Sequence, residues 1–377
     1  MTNAVITAQQ GSTQSDVGFK NRVINGDMRI DQRSNGAVVS GVTGGASYWL
    51  GDRFRIGGSA LSTGRFSFQV VNDAPPGFIK SGKVTVTTSQ TPTASDIQVL
   101  TQVIEGTNVA DFMWGTSNAA TASLSFWVKA NISGQYVVAI RADNNSATYL
   151  ASYTITSANA WQYITISIPG PTFGTWGGLT LSTTIGIRLD FNLGTGTTPS
   201  SASTNTWLAG DYFRTTSDVQ LIQTLGATWQ ITGVQFEVGS SASGFDYRNY
   251  GTELAMCQRY FYRMYGLQYN FSQVNIGAGT FTFGTRTHPT TMRTTPTFGH
   301  NLTLASYVAA LPTADQWATY YQNNGWPGIS SGDFATVIND AGNSVYTALG
   351  GYSVTFGANT TAIRLGGNKY LEWSAEL

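Results

Sequence analysis

The chain has 377 residues, 20 Lys plus Arg against 20 Asp plus Glu, only 11% charged residues and 43 glycines. Zero formal net charge and the lack of any basic run exclude nucleic-acid binding by phosphate neutralisation, which needs clustered Lys and Arg. A single cysteine, Cys257, excludes an intrachain disulfide and a multi-cysteine metal site, and its apolar, aromatic surroundings predict a buried thiol.

Residues 1–20 are small, polar and unpatterned, and predict an N-terminal docking arm that orders only against a partner. They lack the charged-then-apolar order of a signal peptide, and no stretch of the chain reaches membrane-spanning length. The expectation is synthesis in a bacterial cytoplasm and no membrane insertion.

Residues 21–250 are dominated by short β-branched and aromatic runs. RFSFQVV at 65–71 and KVTVT at 83–87 come first, then SLSFWV at 123–128 and YVVAIRA at 136–142. Further runs fall at 149–156, 161–168, 185–191 and 228–236, separated by turn clusters such as DAPPG and PGPTFG. Strands at this spacing without long helices between them predict a β-sandwich rather than a parallel α/β sheet. NGDMRIDQR at 25–33 reads as a first or edge strand, with Met28 and Ile30 inward.

TELAMCQRYFYRMY at 252–265 breaks the pattern. Thr252 is placed to cap a helix with Leu254, Cys257, Phe261 and Tyr265 on one face, and the aromatic second half also suits a strand. Residues 251–265 therefore form a connecting helix or hinge. Residues 266–377 read as a β-rich C-terminal domain, with strands at 279–284, 354–356, 362–365 and 370–373 and one helix at 312–321.

The chain carries none of the usual catalytic signatures: no GxSxG elbow, P-loop, HExxH, CxxC or dinucleotide fingerprint. Asp and Glu are scarce and most stand beside turn residues or arginines, as in Asp27–Arg29, Asp52–Arg53 and Asp246–Arg248, which predicts structural ion pairs rather than a glycosidase acid/base pair. The oxygen-rich DNNS at 143–146 reads as a turn and not a calcium loop. The expectation is no catalytic residue, no metal and no cofactor.

With 10 Trp, 18 Tyr and 19 Phe, aromatics outnumber what the core strands need. Trp176 in FGTWGG, Trp207 in STNTWL and Trp326 in NNGWPG fall in predicted loops beside Gly and Asn. Each reads either as a platform stacking on a sugar ring or as an anchor in a subunit contact or the core.

Several blocks resemble a widespread family of phage and prophage virion proteins, fibre-like and head- or tail-associated. They are NRVINGDMRIDQR (21–33), YWLGDRF (48–54), SFWVKANISGQYVVAIR (125–141) and WQYITISIPG (161–170). The match continues with WQITGVQFEVGSSASGFDYRNYGTELAMCQRYFYR (229–263), HPTTMRTTPT (288–297) and the terminal LEWSAEL; residues 310–350 match poorly. The resemblance implies a jelly-roll, carbohydrate-binding-module-like sandwich in a homotrimeric fibre or spike, joined to other virion proteins through residues 1–20. It implies a lectin-like fold, which makes host-surface glycan the expected partner, and it does not imply an enzyme. A capsid decoration protein and a polysaccharide depolymerase tailspike are the alternatives left open. Structural closure of the sandwich is the expected role of 236–251, with Phe245 and Tyr247 as an aromatic anchor.

Overall fold

The computed structural model describes residues 19–43, 48–59, 63–143, 145–176, 184–263, 289–294, 372 and 374–376 in full, together with the backbone of a set of C-terminal strands. The chain divides into two compact units, residues 1–253 with 377, and residues 254–376.

The first unit is a two-sheet sandwich. Its strands are β1 (Val39–Val42), β2 (Phe54–Gly58), β3 (Arg65–Val71), β4 (Ser81–Thr88), β5 (Gln98–Glu105), β6 (Ala122–Ala130) and β7 (Gly134–Ala142). There follow β8 (Thr148–Ile155), β9 (Gln162–Ile168), β10 (Ile185–Asn192), three two-residue strands β11 (Ser200–Ser201), β12 (Trp207–Leu208) and β13 (Arg214–Thr215), and β14 (Thr228–Val238). One sheet runs β1-β3-β4-β14-β6-β9 and the other β12-β8-β7-β10-β5-β2. All pairs within the two sheets are antiparallel. The chain passes repeatedly from one sheet to the other, which gives the jelly-roll-like sandwich expected from the strand rhythm.

Alternation places the core. In β6, ASLSFWVKA sends Ala122, Leu124, Phe126, Val128 and Ala130 inward. Phe126 meets Phe191 of β10 edge-on at 5.3 Å and Tyr153 of β8 at 5.1 Å, so the two sheets interlock through aromatic rings. The strands at 54–58 and 98–105 escape the sequence reading. FRIGG is short and glycine-ended, and QVLTQVIE is buried along its whole length and so lacks a period of two.

The block at 21–33 is not a strand. Met28 and Ile30 are buried as expected, but Asn25 and Met28 adopt left-handed backbone at φ 59° and 57°. The segment folds as a plug along the second half of β14. Arg22 N–H donates to Phe236 O at 2.8 Å, Val234 N–H to Gly26 O at 2.9 Å, and Asn21 Nδ2 to Val234 O at 3.0 Å. Gly26 is obligatory here, since a Cβ would stand 2.2 Å from Val234 O.

Around this plug the sequence blocks converge in a buried polar latch. Asn25 accepts from Ile30 N–H at 3.0 Å and donates through Nδ2 to Ile30 O and Asp52 O at 2.8 and 2.9 Å. Gln102 holds both backbone groups of Ile24. Arg248 donates to Val23 O and to Glu253 Oε2, both at 3.2 Å, and Glu253 also accepts the Asn25 N–H. Asp246 N–H donates to Gln235 Oε1 at 2.7 Å, and Asn21 N–H to Asp246 Oδ2 at 3.3 Å. Buried backbone groups in irregular structure need such partners. The residues at 21–33, 48–54 and 229–253 supply them to one another.

Helix α1 (Tyr250–Gln258) starts earlier than the Thr252 cap implied, because Asn249 Oδ1 accepts the Thr252 N–H at 2.8 Å and takes the capping role. The chain is extended again from Phe261 to Tyr265, so the aromatic half of the hinge is a strand, and Cys257 is buried and in no disulfide. In the C-terminal unit that strand pairs with Tyr370–Ser374, which pairs in turn with Thr297–His300. A four-stranded sheet joins Gln273–Asn275, Phe281–Thr287, Ser344–Leu349 and Phe334–Asn339. The helix expected at 312–321 is not formed at Gln316–Trp317, which pairs in parallel with Thr303–Leu304. A single capping signal over ten residues yields to strand pairing, since a helix that short is marginal by itself. The rest of 312–321 and the strand expected at 354–356 lie outside the described residues.

Candidate functional site

Trp176 and Trp207, far apart in sequence, meet at one place. Their ring centroids lie 5.4 Å apart, and Trp114 touches Trp176 at 5.0 Å and Trp207 at 5.3 Å, all three contacts edge-to-face. The indole N–H groups donate to backbone carbonyls: Trp114 to Ala120 at 2.8 Å, Trp176 to Phe173 at 3.1 Å and Trp207 to Pro169 at 2.6 Å. Trp176 is 3% exposed and Trp207 half-buried, so Trp176 has no free ring face for a ligand. Trp326 lies outside the described residues.

A second aromatic group stands on the outer face of the first sheet. In β6 and β9, Phe126, Val128, Ile164 and Ile166 face the core, so Trp127 and Tyr163 project outward. They are cross-strand partners with rings 5.2 Å apart, and Tyr163 is 45% exposed. β14 bulges between Thr232 and Gln235, where Gly233 takes φ 63°. A Cβ at that glycine would meet the Phe78 ring at 2.7 Å and the Trp127 ring at 3.2 Å. The missing side chain thus lets both rings close over the strand. Phe78 packs on Phe245 at 5.1 Å and on Tyr247 at 5.6 Å, and Phe245 on Tyr247 at 4.9 Å. Tyr247 is 57% exposed and donates its hydroxyl to Gly77 O at 3.1 Å. The result is a strip Tyr163–Trp127–Phe78–Phe245–Tyr247 laid across the strands, about 15 Å long at a strand spacing of about 4.8 Å.

Lys129 bonds Asp73 and sits 5.0 Å from the Trp161 ring, while Trp161 Nε1 donates to Asp73 Oδ1 at 3.4 Å. The Lys129 hydrogen bond holds the Asp73 carboxyl below its ordinary value. Asp27 bonds Arg29, yet burial raises its carboxyl above the ordinary range despite that cation. Two buried hydroxyls of the same sheet, Ser123 Oγ and Thr232 Oγ1, have no hydrogen-bond partner. Among the described residues no group of His, Cys, Asp and Glu is arranged to hold a metal ion.

Exposed aromatic faces stack on apolar C–H surfaces such as those of sugar rings. The strip was legible only through alternation, since Trp127 and Tyr163 occupy the strand positions where polar residues are the rule.

The chain is an all-β protein built on a two-sheet, jelly-roll-like sandwich. No protein-family model and no curated protein matches it. Solved structures similar to it include the enzymatically active domain of bacteriophage CBA120 tailspike protein 4, at 13% identity and TM-score 0.28 over 58% of this chain and 21% of that one. They also include a family 11 carbohydrate-binding module of Clostridium thermocellum in complex with a mixed-linked tetrasaccharide, at 12% identity and TM-score 0.26 over 50% of this chain and 89% of that one. A third is a carbohydrate-binding module in complex with β-1,4-galactotriose, at 10% identity and TM-score 0.24 over 49% and 88% of the two chains. This chain thus spans about a fifth of the tailspike chain.

Proposed function

We propose that the chain is a non-catalytic structural protein of a bacteriophage particle, a fibre- or spike-type appendage, and that its sandwich contacts host-surface glycan through the outer aromatic strip. The observation that carries the glycan reading is the strip itself, whose exposed Tyr163 and Tyr247 are joined by Trp127, Phe78 and Phe245 with no free charge among them. Isolated surface aromatics are ordinary, but a contiguous line of them marks a contact site. The phage reading is supported by the sequence blocks, three of which meet in the latch and so have a common structural reason to occur together. Residues 1–20, mostly outside the described residues, are assigned to docking on the particle.

The test is adsorption of phage carrying Trp127→Ala with Tyr163→Ala. Particles should contain the normal amount of the chain and adsorb to host cells at least tenfold more slowly. Normal adsorption with normal incorporation removes glycan contact at the strip and favours a decoration role.

A further inference from the structure

We propose that the outer edge of β9 pairs with the same edge of a second copy of the chain, antiparallel about Thr165, so that two sandwiches share one continuous sheet. The first sheet ends at β9, and among the described residues no strand lies on its outer side. A free edge presents a row of N–H and C=O groups to any other strand, and proteins guard such edges by shortness, bulges, proline or charge. The other three sheet edges of the sandwich carry these guards. β1 has four residues and a register shift, β12 has two residues, and β2 contains Arg55 and ends in Gly57–Gly58 with Gly58 at φ 110°.

β9 has none of them. Its seven residues, QYITISI, pair with β6 in unbroken register from Val128↔Gln162 to Ala122↔Ile168. No charged residue occurs from Ser157 to Thr172, and the first proline, Pro169, follows the strand. An edge of that length and composition is built to be covered.

The occupant follows from the strand's own sequence, which is complementary to itself. Antiparallel pairing about Thr165 sets Thr165 opposite Thr165, Ile164 opposite Ile166 and Tyr163 opposite Ser167. Thr–Thr and aliphatic cross-strand pairs are favourable ones. Ile164 and Ile166 are only partly buried at the rim of the core, and each copy would cover the apolar surface the other leaves open. A charged partner would find no counter-charge here. The pairing is isologous and closes at two copies, so it does not propagate into a fibre. It differs from the three-fold assembly that the sequence resemblance implies. It also stands apart from the glycan reading, because Trp127 and Tyr163 project from the sheet face and not from its edge. The strip stays open and continues onto the second copy.

Light scattering of the full chain should give twice the chain mass or an even multiple of it. Thr165→Lys places two like charges on the dyad and should halve that mass, with a dissociation constant at least tenfold higher. Thr85→Lys, outward on the interior strand β4, should leave it unchanged. Thr165→Cys supplies a readout independent of mass. Under mild oxidation it should give a doubled band on a non-reducing gel, because Cys257 is buried and is the only other cysteine, whereas Thr85→Cys should not. A monomer, a trimer, a mass indifferent to Thr165→Lys, or no selective Thr165→Cys cross-link each overturns the proposal.

Discussion

Asn25 offers the sharpest test of the latch. It is fully buried, sits at φ 59° and makes three side-chain hydrogen bonds to the backbone of Ile30 and Asp52. Asn25→Ala removes all three, at about 1 kcal/mol each. It also puts a residue with a Cβ and no local hydrogen bond into left-handed backbone, at about 1 kcal/mol more. The sum is about 4 kcal/mol, within the roughly 5–15 kcal/mol of a typical domain, so the protein still folds. Asn25→Gly spares the backbone strain and should cost about 3 kcal/mol. Asn25→Asp turns a donor into an acceptor facing two carbonyls, and should be at least as damaging as alanine at pH 7 but recover as the carboxyl protonates. Hydrogen exchange of β14 peptides by mass spectrometry reads the sandwich directly. Asn25→Ala should accelerate their exchange by about a thousandfold at ten per 1.4 kcal/mol. An acceleration below tenfold, or an Asn25→Asp protein as protected as wild type, would refute the reasoning.

Three further predictions concern the same unit. Arg141 donates to Asp190 at 2.7 Å, bonds Asp211 and lies 3.9 Å from the Phe213 ring. Arg141→Met should cost about 3–5 kcal/mol in urea denaturation by stranding Asp190, and adding Asp190→Asn should restore part of it. Trp114→Ala should cost about 3–5 kcal/mol by emptying the centre of the tryptophan cluster, and a loss under 1 kcal/mol would show that the cluster relaxes freely. Burial raises the Asp27 and Asp218 carboxyls above their ordinary value, so the folded state takes up protons more readily than the unfolded one. Stability should therefore increase as pH falls from 7 towards the unfolded carboxylate value, with the opposing loss at Asp73 coming only at lower pH. The urea midpoint should be higher at pH 4.5 than at pH 7, and the slope flatter in Asp218→Asn; a lower midpoint at pH 4.5 speaks against the burial account.

Most of the sandwich was legible because its strands are half-buried and alternate, as in RFSFQVV, which runs as β3 over the same residues read from the sequence. β5 was not, because burial on both faces erases alternation. The 25–33 block shows a different limit. Its apolar spacing reported burial correctly, but the left-handed Asn25 and Met28 are set by partners from 52 to 253 that no local pattern contains. At the site, loop position was a poor guide. Trp176 and Trp207 sit among glycine and asparagine as exposed loop residues do, yet tertiary packing gathers them around Trp114. Trp127 and Tyr163 face outward instead, half-buried and exposed respectively, because a strand side chain's face follows from its neighbours' parity and not from its own hydrophobicity.

The latch also sets how the sandwich bears load. Asn21 and Glu253, where the chain joins and leaves it, are tied to one another through Arg248, Asp246 and Asn25. Tension applied across those two points falls first on this knot of side chains and on the bonds that tie residues 21–26 to β14.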